Sequence, residues 1–368
     1  MPTCRVGYFI HHAMVKGLMH TADVHDGVLR TERQQARLGV SRAAGLGVAL
    51  AGVVLVALLS LGVGSRSIGL RDVWEGLTHY DAASYDQTVI RSLRLPRTII
   101  GLAVGGSLAV AGAMMQAVTR NPLADPSILG VSSGASFTIV TATYAFGLTA
   151  VAEYLWFAFV GALGAGALVF LIASSGRDGP SPVKLTLAGV VVSGLLGAWT
   201  SALIILDEET LDVVRFWLVG SVAGRSLETF WVVAPFLLGG TLVCLFLGHQ
   251  LNVLSLGDET ARALGMRTAR IRLLCSVLVV VMTGAAVSVA GPIGFVGLAT
   301  PHIVRSIVGP DYRWVLPYSL LTGAIVLTGA DVIGRVAAQP SELQTGLVTA
   351  LVGSPVLIYL ARQRVVAQ

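Results

Sequence analysis

The stretch of sequence that decides the fold begins at Arg94-Leu-Pro-Arg-Thr98 and ends at Asn121-Pro-Leu-Ala-Asp-Pro-Ser-Ile-Leu-Gly-Val-Ser-Ser-Gly-Ala135. Between these polar ends, residues 98–119 carry no charge. A helix rises about 1.5 Å per residue, so roughly twenty such residues cross the hydrocarbon core of a bilayer. Pro122 disfavours helical geometry in the residue before it and predicts that the helix ends there. Pro126 and Gly130 predict a tight turn into the next apolar run.

The composition extends this interpretation to the whole chain. Of 368 residues, 54% are hydrophobic and 12% are charged, and the mean hydropathy is +0.78. The charged fraction is about half that of a soluble protein, and 43 glycines suit helices that pack closely in a membrane. The net charge of +5 is spread over short loops, which argues against nucleic acid as a partner. The sequence predicts an all-α polytopic membrane protein surrounded by lipid.

Apolar runs between polar breaks predict about ten transmembrane helices. They lie at 43–63, 98–119, 127–146, 151–173, 185–205, 229–248, 271–290, 293–308, 315–335 and 344–361. We expect residues 43–368 to form one transmembrane domain with a cytoplasmic loop at 249–270. Residues 1–42 are expected to be a poorly ordered N-terminal extension. The segment 293–308 is short, which leaves a tilted helix or a re-entrant start open.

The distribution of charge over the loops predicts the orientation. One set of loops holds most of the basic residues: Arg30, Arg33, Arg37, Arg42, Arg177, Lys184, Arg262, Arg267, Arg270, Arg272, Arg313, Arg362 and Arg364. The opposite set holds most of the acids: Asp72, Glu75, Asp81, Asp86, Asp207, Glu208, Glu209, Asp212 and Glu228. The positive-inside rule then places both termini in the cytoplasm. Arg91, Arg94 and Arg97 break this pattern because they lie on the outside.

The inner loop between the sixth and seventh predicted spans has a helical pattern of its own. Its sequence is Leu254-Ser-Leu-Gly-Asp-Glu-Thr-Ala-Arg-Ala-Leu-Gly-Met-Arg267. It contains a serine that can cap a short helix, two acids for the first turn, a small apolar face and a terminating glycine. These residues are Ser255, Asp258, Glu259, Ala261, Leu264 and Gly265. Two short helices exceed what a connection needs and favour a docking segment; the alternative is an amphipathic segment that lies on the membrane.

A third motif is Ala290-Gly-Pro-Ile-Gly-Phe-Val-Gly-Leu-Ala-Thr-Pro-His-Ile-Val-Arg305, in which Gly291-Pro292 predicts a helix break. A weaker pattern relates two other segments. Gly105–Gly112 and Gly284–Gly291 share Gly, Val, Ala and Gly at the same offsets, on spans of opposite direction. An inverted internal repeat leaves such a pattern, although small residues also recur by chance in membrane helices.

The sequence also bears on the source of energy. There is no G-x-x-x-x-G-K-[ST] phosphate loop and no credible catalytic, cofactor or metal-ligand set. Asp331 and Arg335 lie within an apolar run, and their i, i+4 spacing allows them to pair. Since no series of buried carboxylates offers an ion route, a secondary ion-coupled transporter is the less favoured alternative. An active transporter of this kind would take its energy from another subunit.

Taken together, the three motifs resemble the FecCD-type permease subunits of ABC importers for iron-siderophores, haem and cobalamin. The resemblance covers roughly residue 43 to the end. It implies the type II importer fold and a dimer of permeases, formed with a second copy or a paralogue. It also implies a cytoplasmic ABC ATPase dimer that binds ATP and Mg²⁺, and an extracytoplasmic substrate-binding protein. The location implied is the bacterial cytoplasmic (inner) membrane, and the wording Thr119-Arg-Asn-Pro-Leu-Ala-Asp-Pro126 is most similar to ferric-siderophore permeases, with haem or cobalamin as the alternative cargo.

The resemblance also assigns roles to particular residues. Arginines for docking of the binding protein match Arg94, Arg97 and Arg335. Residues of an inner gate match Asn121, Leu123, Ser181, Pro182 and Val183, although related permeases carry small hydroxyl residues where this chain has Pro182 and Val183. Residues of the ATPase coupling segment match Ser255, Leu256, Gly257, Asp258, Glu259, Ala261, Arg262, Leu264 and Gly265. The alternative for the outer arginines is that Arg94 and Arg97 reach lipid headgroups while Arg335 pairs with Asp331.

Overall fold

Helices account for most of the chain in the computed structural model, which describes residues 42–64, 67–175, 181–339 and 341–366. Within those ranges there is no β-strand. The helices are α1 (Arg42–Gly62), α2 (Leu70–Thr78), α3 (Tyr85–Val89), α4 (Leu95–Thr119), α5 (Val131–Phe146), α6 (Val151–Ser174), α7 (Pro182–Leu206), α8 (Glu208–Val219), α9 (Leu227–Leu245), α10 (Gly248–Ser255), α11 (Asp258–Ala263), α12 (Thr268–Ala290), α13 (Val296–Val308), α14 (Tyr312–Ala337) and α15 (Thr345–Val366). The all-helical prediction is confirmed.

Seven described helices are long and apolar enough to cross a membrane by length and composition. The remaining predicted spans correspond to α5, to α13 and to α15, whose apolar part is Thr345–Pro355. At about 1.5 Å per residue, the 13 residues of α13 reach only about two thirds of the way across a 30 Å core. The predicted span 293–308 is therefore too long at its start, because Gly291 and Phe295 have positive φ and the helix begins at Val296.

The second predicted span is too short at its outer end. The helix runs without interruption from Tyr85 to Thr119, through a π-helical turn at Ile90–Arg94. Pro96 lies two residues after the end of that turn and has no N–H to continue the regular ladder of backbone hydrogen bonds, which accounts for the local widening. Arg91, Arg94 and Arg97 consequently lie on a helix rather than in a loop.

Helix α4 lies at the centre of the bundle and packs against α9, α12, α13 and α14. Gly112 leaves no room for a Cβ against the backbone of Gly297 on α13, and Gly105 leaves none against Gly323 on α14. Ser107 and Thr241 share a hydrogen bond of 2.8 Å between α4 and α9. Close backbone approach and interhelical hydrogen bonds are what hold helices together in lipid, where apolar contact alone gives no preference for protein.

Most of the described chain forms a compact unit that comprises Ala49–Gln368. The predicted N-terminal extension lies almost wholly outside the described residues. The predicted inverted repeat stays a prediction; its two segments lie on α4 and α12, which pack against each other. The sequence predicts a loop at 206–228, but α8 occupies Glu208–Val219 there, begun by the side chain of Asp207, which accepts a hydrogen bond from Thr210 N at 2.9 Å.

Candidate functional site

At one end of the bundle, a single buried carboxylate holds two arginines. Asp331 is 1% exposed and accepts hydrogen bonds from Arg97 Nε at 2.9 Å on Oδ1 and 2.7 Å on Oδ2. Its Oδ2 also lies 3.4 Å from Arg335 Nε, and the hydroxyl of Thr345 donates to its Oδ1 at 2.9 Å. The predicted Asp331–Arg335 contact is present, but Arg97 on α4 makes the stronger ion pair. Sequence spacing reveals contacts within a helix and could not reveal this one between helices.

Arg335 and Arg94 donate hydrogen bonds to the last turn of α1. Arg335 donates to the Ser60 carbonyl through Nη1 and to the Ser60 hydroxyl through Nη2, both at 2.9 Å. Arg94 donates to the Leu61 carbonyl at 2.7 Å. The last carbonyls of a helix have no partner within it and carry partial negative charge, so guanidinium groups stabilise this end. These arginines therefore contribute to the fold as well as to any surface.

The predicted docking arginines line a cavity of about 380 Å³ but are scarcely exposed. Arg94, Arg97 and Arg335 are 6%, 9% and 3% exposed. Two lining residues escaped the sequence analysis. Arg225 lies in the loop between α8 and α9, and Glu342 accepts a hydrogen bond from Arg97 Nη1 at 2.6 Å. Neither residue belongs to a motif. The sequence shows only that each is a charged residue in a loop, which does not indicate that the two loops line the same cavity.

At the other end of α4, the Asn-Pro motif forms a compact turn. Arg120 ends the helix with φ 51°, the left-handed conformation. The side chain of Asn121 accepts a hydrogen bond from Leu123 N at 3.0 Å, and Leu123 is 55% exposed. Asp125 then begins a short 3₁₀ turn at Pro126–Leu129 by accepting from Ser127 N at 2.9 Å. The break and tight re-entry follow the prediction.

The second predicted gate segment begins α7. Ser181 caps this helix by accepting a hydrogen bond from Lys184 N at 3.3 Å, and Pro182 occupies its first turn. Val183 is 66% exposed. The turn Pro126–Leu129 packs against α7, where Gly189 leaves no room for a Cβ against the carbonyl of Ile128. The helix that begins at the second predicted gate segment therefore packs against the turn that follows the first.

The predicted coupling segment consists of the two short helices α10 and α11. The prediction that Ser255 caps a short helix is wrong. Ser255 is the last residue of α10 and donates to the Asn252 carbonyl at 2.7 Å, and the residue at the N-cap of α11 is Gly257, with φ 104°. A backbone that turns through this conformation needs glycine, so the cap falls two residues later. Gly265, with φ 81°, follows α11 as predicted. Ala261 is buried, whereas Leu256 and Leu264 are 61% and 64% exposed.

Polar contacts fix this segment to the bundle. Asn252 on α10 donates to Asp311 at 2.6 Å and accepts from Tyr312 N at 2.8 Å at the start of α14. The hydrogen bond from Arg313, the largest favourable contribution, and that from Asn252 lower the pKa of Asp311 to about 2. Asp258 pairs with Arg272 at 2.9 Å and lies 3.9 Å from Arg120. The coupling segment therefore contacts the residue that precedes the Asn121–Leu123 turn.

Among the residues that the structure describes, no group of three or more His, Cys, Asp and Glu side chains could hold a metal ion. The charged contacts described above lie towards the two ends of an apolar helical bundle, at opposite ends of α4.

The chain belongs to the FecCD transport family, whose sequence profile matches residues 50–363. It is 47% identical over 305 residues to the Fe(3+)-citrate import system permease protein YfmD of Bacillus subtilis (strain 168), covering 83% of this chain and 90% of that protein. It is 44% identical over 328 residues to the ferric enterobactin transport system permease protein FepD of Escherichia coli (strain K12), covering 89% and 97%. Permeases named for cobalamin and hemin also match.

A solved structure described as an inward-facing conformation of a metal-chelate type ABC transporter has the same fold. It superposes with a TM-score of 0.78 at 32% identity, covering 87% of this chain and 99% of that chain. Sequence and fold agree that this protein is a membrane-spanning permease subunit of an ABC importer. The predicted family, fold class and permease role are confirmed.

Proposed function

We propose that this permease carries a ferric siderophore or a closely related ferric chelate into the cell. The observation that supports this cargo is that relatives at 47% and 44% identity are named for Fe(3+)-citrate and ferric enterobactin, against 42% and 36% for permeases named for cobalamin and hemin. Haem and cobalamin form the second candidate group, because permeases named for them also match. The described residues contain no metal-ligand cluster, so recognition of an intact chelate fits better than recognition of a bare ion.

The energy comes from a separate ABC ATPase dimer, which binds ATP and Mg²⁺ and docks on α10 and α11. The support is a surface formed by the exposed side chains of Leu256, Leu264, Glu259 and Arg262. Ion pairs and hydrogen bonds hold the segment that carries them to the ends of three long helices. The alternative is an amphipathic segment whose apolar face lies on the membrane. It is less favoured because the apolar side chains of Ala261 and Leu254 are buried in the protein rather than facing lipid. The chain itself holds no ATPase site in this proposal.

The turn at Asn121–Leu123 and the start of α7 at Ser181–Val183 form the inner gate. Leu123 and Val183 are exposed apolar side chains near one end of the pathway, and the Arg120–Asp258 proximity provides a route from the ATPase to this turn. Cysteines at 123 and 183 in a Cys-free version should change their reactivity with a polar thiol reagent between nucleotide-free and ATP-trapped states. Reactivity independent of state at both positions would exclude a gate there.

The outer cavity receives acidic side chains of an extracytoplasmic binding protein. Four arginines line it, namely Arg94, Arg97, Arg225 and Arg335, against one lining carboxylate, Glu342. This surplus complements an acidic partner, and arginine binds carboxylates with two parallel hydrogen bonds.

The permease works as a dimer with a second copy or a paralogue, with the pathway on the dimer axis. Native mass spectrometry of the purified complex tests the dimer. Both termini lie in the cytoplasm of a bacterium whose inner membrane holds the protein; accessibility of terminal tags in intact spheroplasts tests the orientation.

The cargo proposal is tested in proteoliposomes that contain the permease, its ATPase and candidate binding proteins. Ferric citrate, ferric enterobactin, haem and cobalamin are supplied separately at the same concentration, and ATP-dependent uptake is measured. We expect uptake of a ferric chelate and none of cobalamin. Uptake of haem or cobalamin alone would refute the ferric-chelate assignment while leaving the permease role intact.

A further inference from the structure

Glu342 lies where an incoming carboxylate would bind the outer arginine cavity. Its Oε2 accepts from Arg97 Nη1 at 2.6 Å, and its side chain is 38% exposed while that of Arg97 is 10% exposed. The acid therefore covers the guanidinium from the outer side. Asp331 occupies the opposite position, since it binds Arg97 through Nε and is 2% exposed in its side chain.

The Glu342 contact uses only part of the guanidinium. Arg97 Nη2 is buried and has no hydrogen-bond partner. A carboxylate that approached the Nη1–Nη2 edge squarely would make two parallel bonds, whereas Glu342 makes one. Arg97 therefore keeps one unused donor while Glu342 is in place, and a carboxylate that replaced Glu342 and also accepted from Nη2 would bind with one more hydrogen bond.

The backbone next to Glu342 is fixed, so the side chain can leave by rotation alone. Leu343 N donates to the Gly334 carbonyl at 3.1 Å, and Thr345 is bound to Asp331. Glu342 also lines a second cavity of about 420 Å³, beside Arg225 and Gln344. This adjoining space, which shares Ala223, Gly224 and Arg225 with the first cavity, can accept the displaced carboxylate.

We propose that Glu342 is a stand-in carboxylate that covers Arg97 in the undocked permease and is displaced by an acidic side chain of the binding protein. This inference rests on the proposed docking function. It makes Glu342 a residue that sets docking affinity, because a site that is competent for only a fraction of the time binds more weakly by that fraction. If the covered state were populated nine-tenths of the time, removal of Glu342 would strengthen docking about tenfold.

The first experiment measures the covering of Arg97 without any partner. Purified permease–ATPase complex in nanodiscs is treated with phenylglyoxal, which modifies arginine, and modification of Arg97 is quantified by peptide mass spectrometry. Glu342→Gln removes the charge at nearly constant shape, and Glu342→Asp keeps the charge but is too short to reach Arg97. We expect several-fold faster modification of Arg97 in both variants.

The matched control is Glu228→Gln, which removes an exposed carboxylate two residues from Ser226, a residue of the cavity wall. It lowers the local negative charge by the same amount without touching Arg97, so Arg97 should react at the wild-type rate. Unchanged Arg97 modification in both Glu342 variants would overturn the proposal. Should Glu342→Gln fail to accumulate, the rate of Arg97 modification in Glu342→Asp decides the question alone.

The second experiment measures affinity for the binding protein that supports uptake in proteoliposomes. We expect Glu342→Gln to lower the dissociation constant about tenfold at all salt concentrations, with Glu342→Asp intermediate. Glu228→Gln should change it less than about twofold, and only at low salt, because an exposed charge is screened. Equal effects of Glu342→Gln and Glu228→Gln, or weaker docking in Glu342→Gln, would contradict the stand-in role.

The two proposals fail separately. If the change of Arg94, Arg97 and Arg335 together to alanine leaves the affinity and its salt dependence unaltered in folded protein, the docking function is wrong, whatever the labelling of Arg97 shows. If the triple change weakens docking but the Glu342 variants neither expose Arg97 nor tighten docking, only the role of Glu342 is wrong.

Discussion

The arginine cavity and the coupling segment, which lie near opposite ends of α4, differ in how their charged side chains are stabilised. In the cavity, Arg97, Arg335 and Asp331 are each less than 10% exposed, and each is bound to another helix. In the coupling segment, Glu259 and Arg262 are exposed. Charges without water need internal partners, while charges in water do not. Residues of the arginine cavity therefore serve folding in addition to the docking role proposed for them, whereas the exposed charges of the coupling segment have no comparable structural role.

The structural role of the buried charges is tested most directly at Asp331. Asp331→Asn removes the carboxylate shared by Arg97 and Arg335 and leaves two buried guanidinium groups poorly paired. Breaking a buried ion pair costs about 3–5 kcal/mol. We expect a sharply lower yield and a lower thermal unfolding midpoint in detergent. Asp72→Asn on the exposed face of α2 is the control and should leave both unchanged; a stable Asp331→Asn protein would show that the pair is not structural.

The inner surface should respond in the reverse manner, with function lost and stability kept. Reversal of both charges in Glu259→Arg and Arg262→Glu should uncouple ATP hydrolysis from uptake. The unfolding midpoint should stay close to wild type, since exposed substitutions usually change stability by less than about 0.5 kcal/mol. The measurement is the ratio of ATP hydrolysed to cargo transported in proteoliposomes.

A matched control for this reversal exists on α8, where Asp212 and Arg215 form an exposed pair with the same spacing, at 3.1 Å. Asp212→Arg with Arg215→Asp should leave the coupling ratio at the wild-type value. Normal coupled uptake in the Glu259/Arg262 double variant would remove the assignment of α11 as the ATPase contact.

A loss of stability smaller than that at Asp331 is expected where the coupling segment joins the bundle. Asp311 caps α14 by accepting from Arg313 N at 3.0 Å and also binds Asn252. Asp311→Ala should lower the stability by about 1–2 kcal/mol, as the loss of a helix cap does. Because the folded pKa of Asp311, about 2, lies below its unfolded value near 4, this contribution is complete above about pH 4 and is lost as the pH falls through 2.

Thermal unfolding in detergent at several pH values checks that prediction. The difference in midpoint between wild type and Asp311→Ala should stay constant from neutral pH down to about pH 5 and shrink below pH 4. Asp81→Ala, in an outer loop, provides a comparison for the loss of an exposed acid. A difference that disappears already between pH 7 and pH 6 would show that Asp311 is not the group responsible.

The same contrast explains how far the sequence could lead. The Asn121-Pro122 break, the short helix α11 before Gly265, and the helix break at Gly291 are predicted by the sequence, because proline, glycine and runs of apolar residues constrain their own neighbourhood. The extension of the second span outward to Tyr85 was missed. A helix that carries Arg91, Arg94 and Arg97 does not look like a membrane span until partners for the arginines are known.

The amino-acid sequence by itself determined the helical membrane class, the family and the positions of the breaks, because these depend on local geometry and on hydropathy summed along the chain. Tertiary structure alone decided that Asp331 binds Arg97, that Glu342 covers Arg97, and that Asp258 lies near Arg120. Those contacts join residues far apart in the chain. Which charges meet in a low-dielectric bundle depends on the packing of small residues such as Gly105 and Gly112, which brings the helix backbones together.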